Sequence, residues 1–244
     1  MQRNYQALIL GTIAVFGAAL TQGETATFAN TLTATEFYNQ YSSDPSSIPL
    51  PSCATSTSSL TQSEIQAIVL EHNRARKDAD RFVTDGLPPL PAMQWSCDAA
   101  AIAQEWADQT QGNQGHSSAE WRQTKYSERT GKQGDAASLG ENLGWAASSN
   151  AEGLRPLVSS VTSWDNERNN YNHDTKACSG VCGHYTQVVW RESTEIGCGV
   201  QRGSRVMGGR TWNHGYFLSC TYHHAGNING DHPLIVHPDW YYSE

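Results

Sequence analysis

The side chains with reactive potential in this 244-residue chain are six cysteines and nine histidines. A structural zinc site built on cysteine needs paired Cys-x-x-Cys motifs. The only close pair is Cys178-Ser-Gly-Val-Cys182, one residue too long and without a second pair. No His-Glu-x-x-His occurs, so no single helix presents a metalloprotease site. Nucleophilic catalysis fares no better. Ser117 and Ser118 follow His116, and Ser193 lies near His184, but there is no Gly-x-Ser-x-Gly elbow to expose a serine. If the cysteines are oxidised, a Cys–His dyad lacks its thiolate. Activation of water by a bound metal is the hydrolytic chemistry left open.

The redox state follows from the compartment. Arg3 precedes an uncharged, mostly apolar run over 7–20 that ends in small residues, Gly17, Ala18 and Ala19. That is the pattern of a secretory signal peptide, placed at 1–21. The alternative, an uncleaved anchor, makes a poor spanning segment, because a spanning helix needs ~20 residues. An even cysteine set in an exported chain reads as three disulfides. The mature protein is expected to be extracellular, with no transmembrane segment. Sixteen basic against 24 acidic residues give a net charge of −8. No Lys/Arg cluster exists to neutralise phosphates, which argues against a nucleic-acid partner. Only four of the basic residues are lysines, which argues against a polybasic membrane patch.

Elements must position these groups. Residues 22–59 are rich in Ser, Thr and Pro and read as a linker tethered by Cys53. Thr61-Gln-Ser-Glu64 is a capping-box pattern that starts a helix, followed by Ile65, Ile68, Val69, His72 and Ala75 or Arg76 at helical spacing. A second helix over 96–110 buries Ala99, Ile102, Ala103, Trp106 and Ala107. Residues 111–139 read as one long irregular stretch. A third helix over 152–169 carries Leu154, Leu157, Val158, Val161 and Trp164, with Glu167 at the edge of that stripe. No period is clear from His184 to Arg191. The period then changes to two: Ile196, Cys198 and Val200 in one strand, and Tyr216, Leu218, Cys220 and Tyr222 in another, share apolar phases. Cys198 and Cys220 can therefore face each other. This order of elements suggests an α+β or layered α/β architecture.

Four motifs now stand in order along the chain. They are His72-Asn-Arg-Ala-Arg76, Gly140-Glu-Asn-Leu143, Gly183-His-Tyr-Thr-Gln-Val-Val-Trp-Arg-Glu-Ser193 and Phe217-Leu-Ser-Cys-Thr-Tyr-His-His-Ala-Gly-Asn-Ile228. Together they resemble the CAP superfamily of cysteine-rich secretory, antigen 5 and pathogenesis-related class 1 proteins. The resemblance spans about 60–233, leaving 234–244 as a tail. Two departures stand out. Thr221 replaces the Asn or other polar side chain usual there, and the stretch between Cys198 and Cys220 is longer than in the plant members.

The resemblance implies an α-β-α sandwich around a central antiparallel sheet, stapled by disulfides. It implies a cleft of two His and two Glu, which here are His116, Glu141, Glu167 and His184. Two imidazoles and two carboxylates suit Zn²⁺ or a similar divalent ion. His72, the nearest rival, has a structural role in the family. The histidines from His214 to His237 read as surface residues. Small lipids or sterols are the implied ligands. The lipid-contact loop falls over 171–182, with Tyr171, His173 and Val181, although that loop is not very apolar. Strand phase pairs Cys198 with Cys220. The plant members resemble a short Cys178–Cys182 loop, which leaves Cys53 with Cys97. Three functions follow: a secreted lipid-binding protein with a metal cleft, a metal-dependent extracellular hydrolase, or a defence or virulence effector with a macromolecular partner.

Overall fold

The computed structural model describes residues 32–84, 86–228 and 231–236. The signal-peptide segment, His237 and the end of the tail lie outside the described residues. The helices are α1 Ala34–Tyr41, α2 Gln62–Ala79, α3 Cys97–Thr110, α4 Ala119–Thr130, α5 Val158–Asn166 and α6 Gly183–Val188. The strands are β1 Gln94–Trp95, β2 Leu139–Ser148, β3 Glu195–Arg202, β4 Arg205–Met207, β5 Arg210–Trp212 and β6 His214–His223. The main sheet has the order β1-β3-β6-β2, and β4-β5 form a separate hairpin.

The fold is α+β in three layers. On one sheet face, Ile196, Cys198, Val200, Leu218, Cys220 and Tyr222 join Ile65, Ile68 and Val69 of α2 and Val161 and Trp164 of α5 in the main core. On the other face, Leu139, Leu143 and Phe217 meet Ile102, Trp106 and Ala107 of α3 and Tyr126 of α4. The strand glycines explain why α3 is alanine-rich. A Cβ at Gly197 would stand 1.9 Å from the Ala100 nitrogen, and one at Gly199 2.2 Å from Gln104. The α3 backbone therefore lies directly on β3, and only small residues fit between them.

Several expectations are corrected. The sheet is mixed, because β1 pairs with β3 in parallel. The described part of the 22–59 linker belongs to the domain. Thr33 and Glu36 form a capping box at α1, and Ala34, Phe37, Ile48 and Ala54 are buried. A Ser/Thr/Pro-rich composition conceals these few apolar anchors. At the other end, Leu234 is buried in the main core, so the domain extends past 233. The stretch 111–139 contains α4, capped by the Ser118 hydroxyl. That helix lies on the surface and buries only Tyr126 fully, too thin a stripe to show a period. The third helix spans only Val158–Asn166 and tightens into a 3-10 turn at Glu167–Asn170. The segment without a period holds the short α6. Cys198 and Cys220 are opposed in register and bonded, Cys53 is joined to Cys97, and Cys178 to Cys182.

The first-helix motif is explained by what its polar groups hold. Asn73 donates to the Met93 and Val69 carbonyls and accepts from the Met93 amide, fixing the approach to β1. Arg76 is fully buried, and its guanidinium donates to the carbonyls of Pro91, Val188, Trp190 and Arg191 at 2.8–3.2 Å. Burial, with the neighbouring Arg191 charge, pushes its pKa down to about 9. Arg76→Leu leaves these carbonyls without their donor, and burying unpaired polar groups costs about 3 kcal/mol or more. Urea denaturation is expected to show that loss. A loss below about 1 kcal/mol would mean that water replaces the guanidinium.

Candidate functional site

The site is built around the edge strand β2. Alternation along a strand sends Gly140 and Asn142 to one face and Glu141 to the other. Each residue of the Gly140-Glu-Asn142 motif then has its own task. A Cβ at Gly140 would stand 2.0 Å from Oε1 of Gln187, which belongs to α6. The glycine makes room for that amide, which accepts from the Gly226 amide and donates to Ser193 Oγ.

Asn142 belongs to a buried chain of hydrogen bonds. His72 Nδ1 lies 2.8 Å from the Ile68 carbonyl, and its Nε2 lies 2.9 Å from Tyr222 Oη. Asn142 Nδ2 donates to Tyr222 Oη and to the His184 carbonyl, each at 3.1 Å. A carbonyl only accepts, so His72 carries its proton on Nδ1, and Nε2 accepts from the tyrosine hydroxyl. Burial pushes His72 down to about 4 and Tyr222 up. The imidazole is thus neutral, and the chain ties α2, β6, β2 and α6 together.

Glu141 points the other way, and its carboxylate is almost wholly buried. It accepts from the Ser117 amide at 3.0 Å, from Ser117 Oγ at 2.7 Å and from His116 Nδ1 at 2.8 Å. Arg122 stands 3.8 Å away and donates to the Ser117 carbonyl and hydroxyl. These partners offset the cost of burying the charge. Glu167, in the 3-10 turn after α5, accepts from the His184 amide at 3.0 Å and from His184 Nδ1 at 2.6 Å. It thereby supplies the acceptor that the first turn of α6 lacks, since Cys182 gives no side-chain cap. The Trp164 indole lies nearly parallel to the His184 ring, at 14°, and donates to the Leu143 carbonyl.

The structure therefore brings His116 to Glu141 and His184 to Glu167 as two separate pairs. Among the described residues no group of three or more His, Cys, Asp or Glu side chains stands ready to hold a metal ion. Both carboxylates engage Nδ1 of their own histidine. In this structure each carboxylate orients its own ring. Among the described residues, neither His116 nor His184 has a protein hydrogen-bond partner at Nε2. Each pair by itself matches the way a metal-binding imidazole is oriented, with its other nitrogen donating to a carboxylate. The serines beside the two histidines have structural partners. Ser117 is committed to Glu141 and Arg122, Ser118 caps α4, and Ser193 donates to the His224 carbonyl.

Sequence reasoning missed Ser117, Arg122, Asn142, Gln187 and Tyr222. Asn142, Gln187 and Tyr222 lie inside the quoted motifs and Ser117 follows His116, and that adjacency was the available signal. The lipid-loop residues do not form an apolar groove. His173 stacks on Phe82 at 4.0 Å and bonds Tyr185 Oη, and Tyr171 packs edge-on against it. Val181 is exposed on its own, its carbonyl held by Asn170. His223 is buried and not a surface residue. Its Nε2 meets the Ala136 carbonyl and its ring packs on Tyr126.

Known proteins resemble this chain in sequence. The model of the cysteine-rich secretory protein (CAP) family matches residues 69–222. Pathogenesis-related protein 1 of Arabidopsis thaliana is 34% identical over 177 residues, covering 72% of this chain and 85% of that protein. Venom allergen 5 of Polistes fuscatus is 33% identical over 187 residues, covering 71% and 80%. The solved venom allergen-like protein 4 of Schistosoma mansoni superposes with a TM-score of 0.47 at 25% identity, covering 74% of this chain and 99% of that one. The chain belongs to the cysteine-rich secretory protein family.

The buried histidines set a pH dependence. Burial pushes both His72 and His223 from 6.5 to about 4. Between those values the unfolded chain binds protons that the folded chain does not. Stability is therefore full above pH 6.5 and falls as pH drops towards 4, by roughly 1.4 kcal/mol per pH unit for each histidine well inside the window. Calorimetry in this window is expected to show proton uptake on unfolding. A melting temperature that stays flat across it would contradict neutral burial of these rings.

Proposed function

We propose that this protein is an extracellular binding protein that holds a divalent metal ion, with Zn²⁺ the best chemical match, through Nε2 of His116 and His184. The observation that carries this reading is the pairing of each Nδ1 with a carboxylate, which leaves one unpartnered nitrogen on each ring. Glu141 and Glu167 hold the rings in place. The ion, when bound, would supply Lewis acidity beside these rings. Metal-activated water needs no protein nucleophile, so a metal-dependent hydrolase is the second reading of the same residues. Export is supported by the three disulfides, the family and the N-terminal pattern. Among the described residues no helix is long and apolar enough to cross a membrane.

A small lipid or sterol is the proposed ligand class, on family grounds. Tyr171 and His173 are half-buried and packed on aromatic neighbours, which leaves Val181 as the exposed large apolar side chain of the 171–182 loop. Saturable uptake of radiolabelled cholesterol by the folded protein supports this part of the reading, and its absence refutes it.

The division between ligand and orienting residue is directly testable by isothermal titration with Zn²⁺. His116→Ala and His184→Ala should each abolish binding. Glu141→Gln and Glu167→Gln should weaken it by about 10- to 100-fold, the usual effect of losing a residue that orients a ligand. Unchanged affinity in both histidine variants would place the ion elsewhere.

A further inference from the structure

The β4–β5 hairpin occupies the long stretch between Cys198 and Cys220, a departure from the plant relatives, and the site above makes no use of it. It forms one wall of a cavity of about 540 Å³, whose other side is residues 111–113 and Trp145 of β2. Trp145 is pinned. Its indole N–H donates to the Gly112 carbonyl at 3.3 Å, and its ring packs on Phe217, the residue opposite in register, at 5.2 Å. It is nevertheless 41% exposed. Across the cavity, Val206 and Met207 are exposed as well.

The polar lining narrows the ligand. Although the chain carries a net charge of −8, no carboxylate lines this cavity, so nothing there selects a cation. Its one charged lining residue is Arg205. Both terminal nitrogens of that guanidinium are already committed, to the Gln111 carbonyl and to Gln201, and Nε, although unpartnered, is buried away from the cavity surface, so an anion finds no free clamp. What remains is neutral: the Asn113 amide, the Gln201 amide nitrogen, whose oxygen is held by Arg205, and the Ser204 hydroxyl, which together donate and accept. A hydrocarbon chain would leave those groups without partners. A proline-rich peptide needs a groove lined by several aromatic rings, and here one ring faces the cavity.

We propose that this groove binds a neutral oligosaccharide, with Trp145 as the platform for the C–H face of a sugar ring and the amide and hydroxyl groups pairing with its hydroxyls. A ligand with one apolar face and a rim of hydroxyls matches both halves of the lining. The groove shares no residue with the His116–Glu141 and His184–Glu167 pairs, so binding is independent of the metal.

The test titrates the full exported chain with cellohexaose, laminarihexaose, chitohexaose and mannohexaose, followed by calorimetry and tryptophan fluorescence. At least one sugar should bind saturably. Trp145→Ala and Val206→Asp should each weaken that binding by about tenfold or more, with His184→Ala unchanged. Val206 is largely exposed, so its substitution keeps the test valid if Trp145→Ala fails to fold. No binding of any of the four sugars overturns the proposal. So does full binding by Val206→Asp, or capture of decaproline instead of sugar through the same residues.

Discussion

The buried hydrogen-bond chain from Ile68 through His72, Tyr222 and Asn142 to the His184 carbonyl is the constraint on which the site depends. Its direction is fixed at both ends by carbonyls, which can only accept. Between them stand a neutral imidazole, a phenol and an amide, each with one arrangement that satisfies its neighbours. Its members come from four elements far apart in sequence. Their agreement fixes how α6, and with it His184, sits against the edge strand that carries Glu141. Satisfied polar networks of this kind specify one arrangement of the core, because any slip leaves a buried group unpaired.

Around that chain the two His–Glu pairs are built by different means. The pair on β2 uses a carboxylate buried under Ser117 and Arg122, so its orientation is set by a polar cage. The pair at α6 uses a carboxylate that also caps the helix, so forming the helix and aiming the ring are one event. In both, the acid binds the inner ring nitrogen and leaves the outer one free. Two carboxylates placed this way hold their rings in one orientation, and under the proposed function a fixed imidazole loses less entropy on binding an ion than a mobile one.

Much of the layered fold was legible where burial is one-sided and long. The Thr61 capping box, the Ala99-to-Ala107 face of α3 and the shared phase of Cys198 and Cys220 all follow from simple periods. What stayed hidden has physical reasons. The strand β2 shows no alternation, because Gly140 and Gly144 sit where Gln187 and Ser160 fill the space that side chains would take. The helix α4 buries too little, and α1 is held by a capping box inside a polar segment. The four site residues were named from motif resemblance. Their division into ring and holder depends on which imidazole nitrogen meets the acid, which no spacing encodes.

That division is the central claim, and the protonation of the two rings tests it most directly. A carboxylate accepts, so each ring must keep its proton on Nδ1 when neutral and present a bare Nε2. Long-range ¹H–¹⁵N correlation on ¹⁵N-labelled protein, in mildly alkaline solution, distinguishes the two tautomers. The account predicts that His116 and His184 are both Nδ1–H tautomers and that added Zn²⁺ shifts the Nε2 resonances of both. Nε2–H tautomers at either ring, or a Zn²⁺ shift confined to Nδ1, would contradict it.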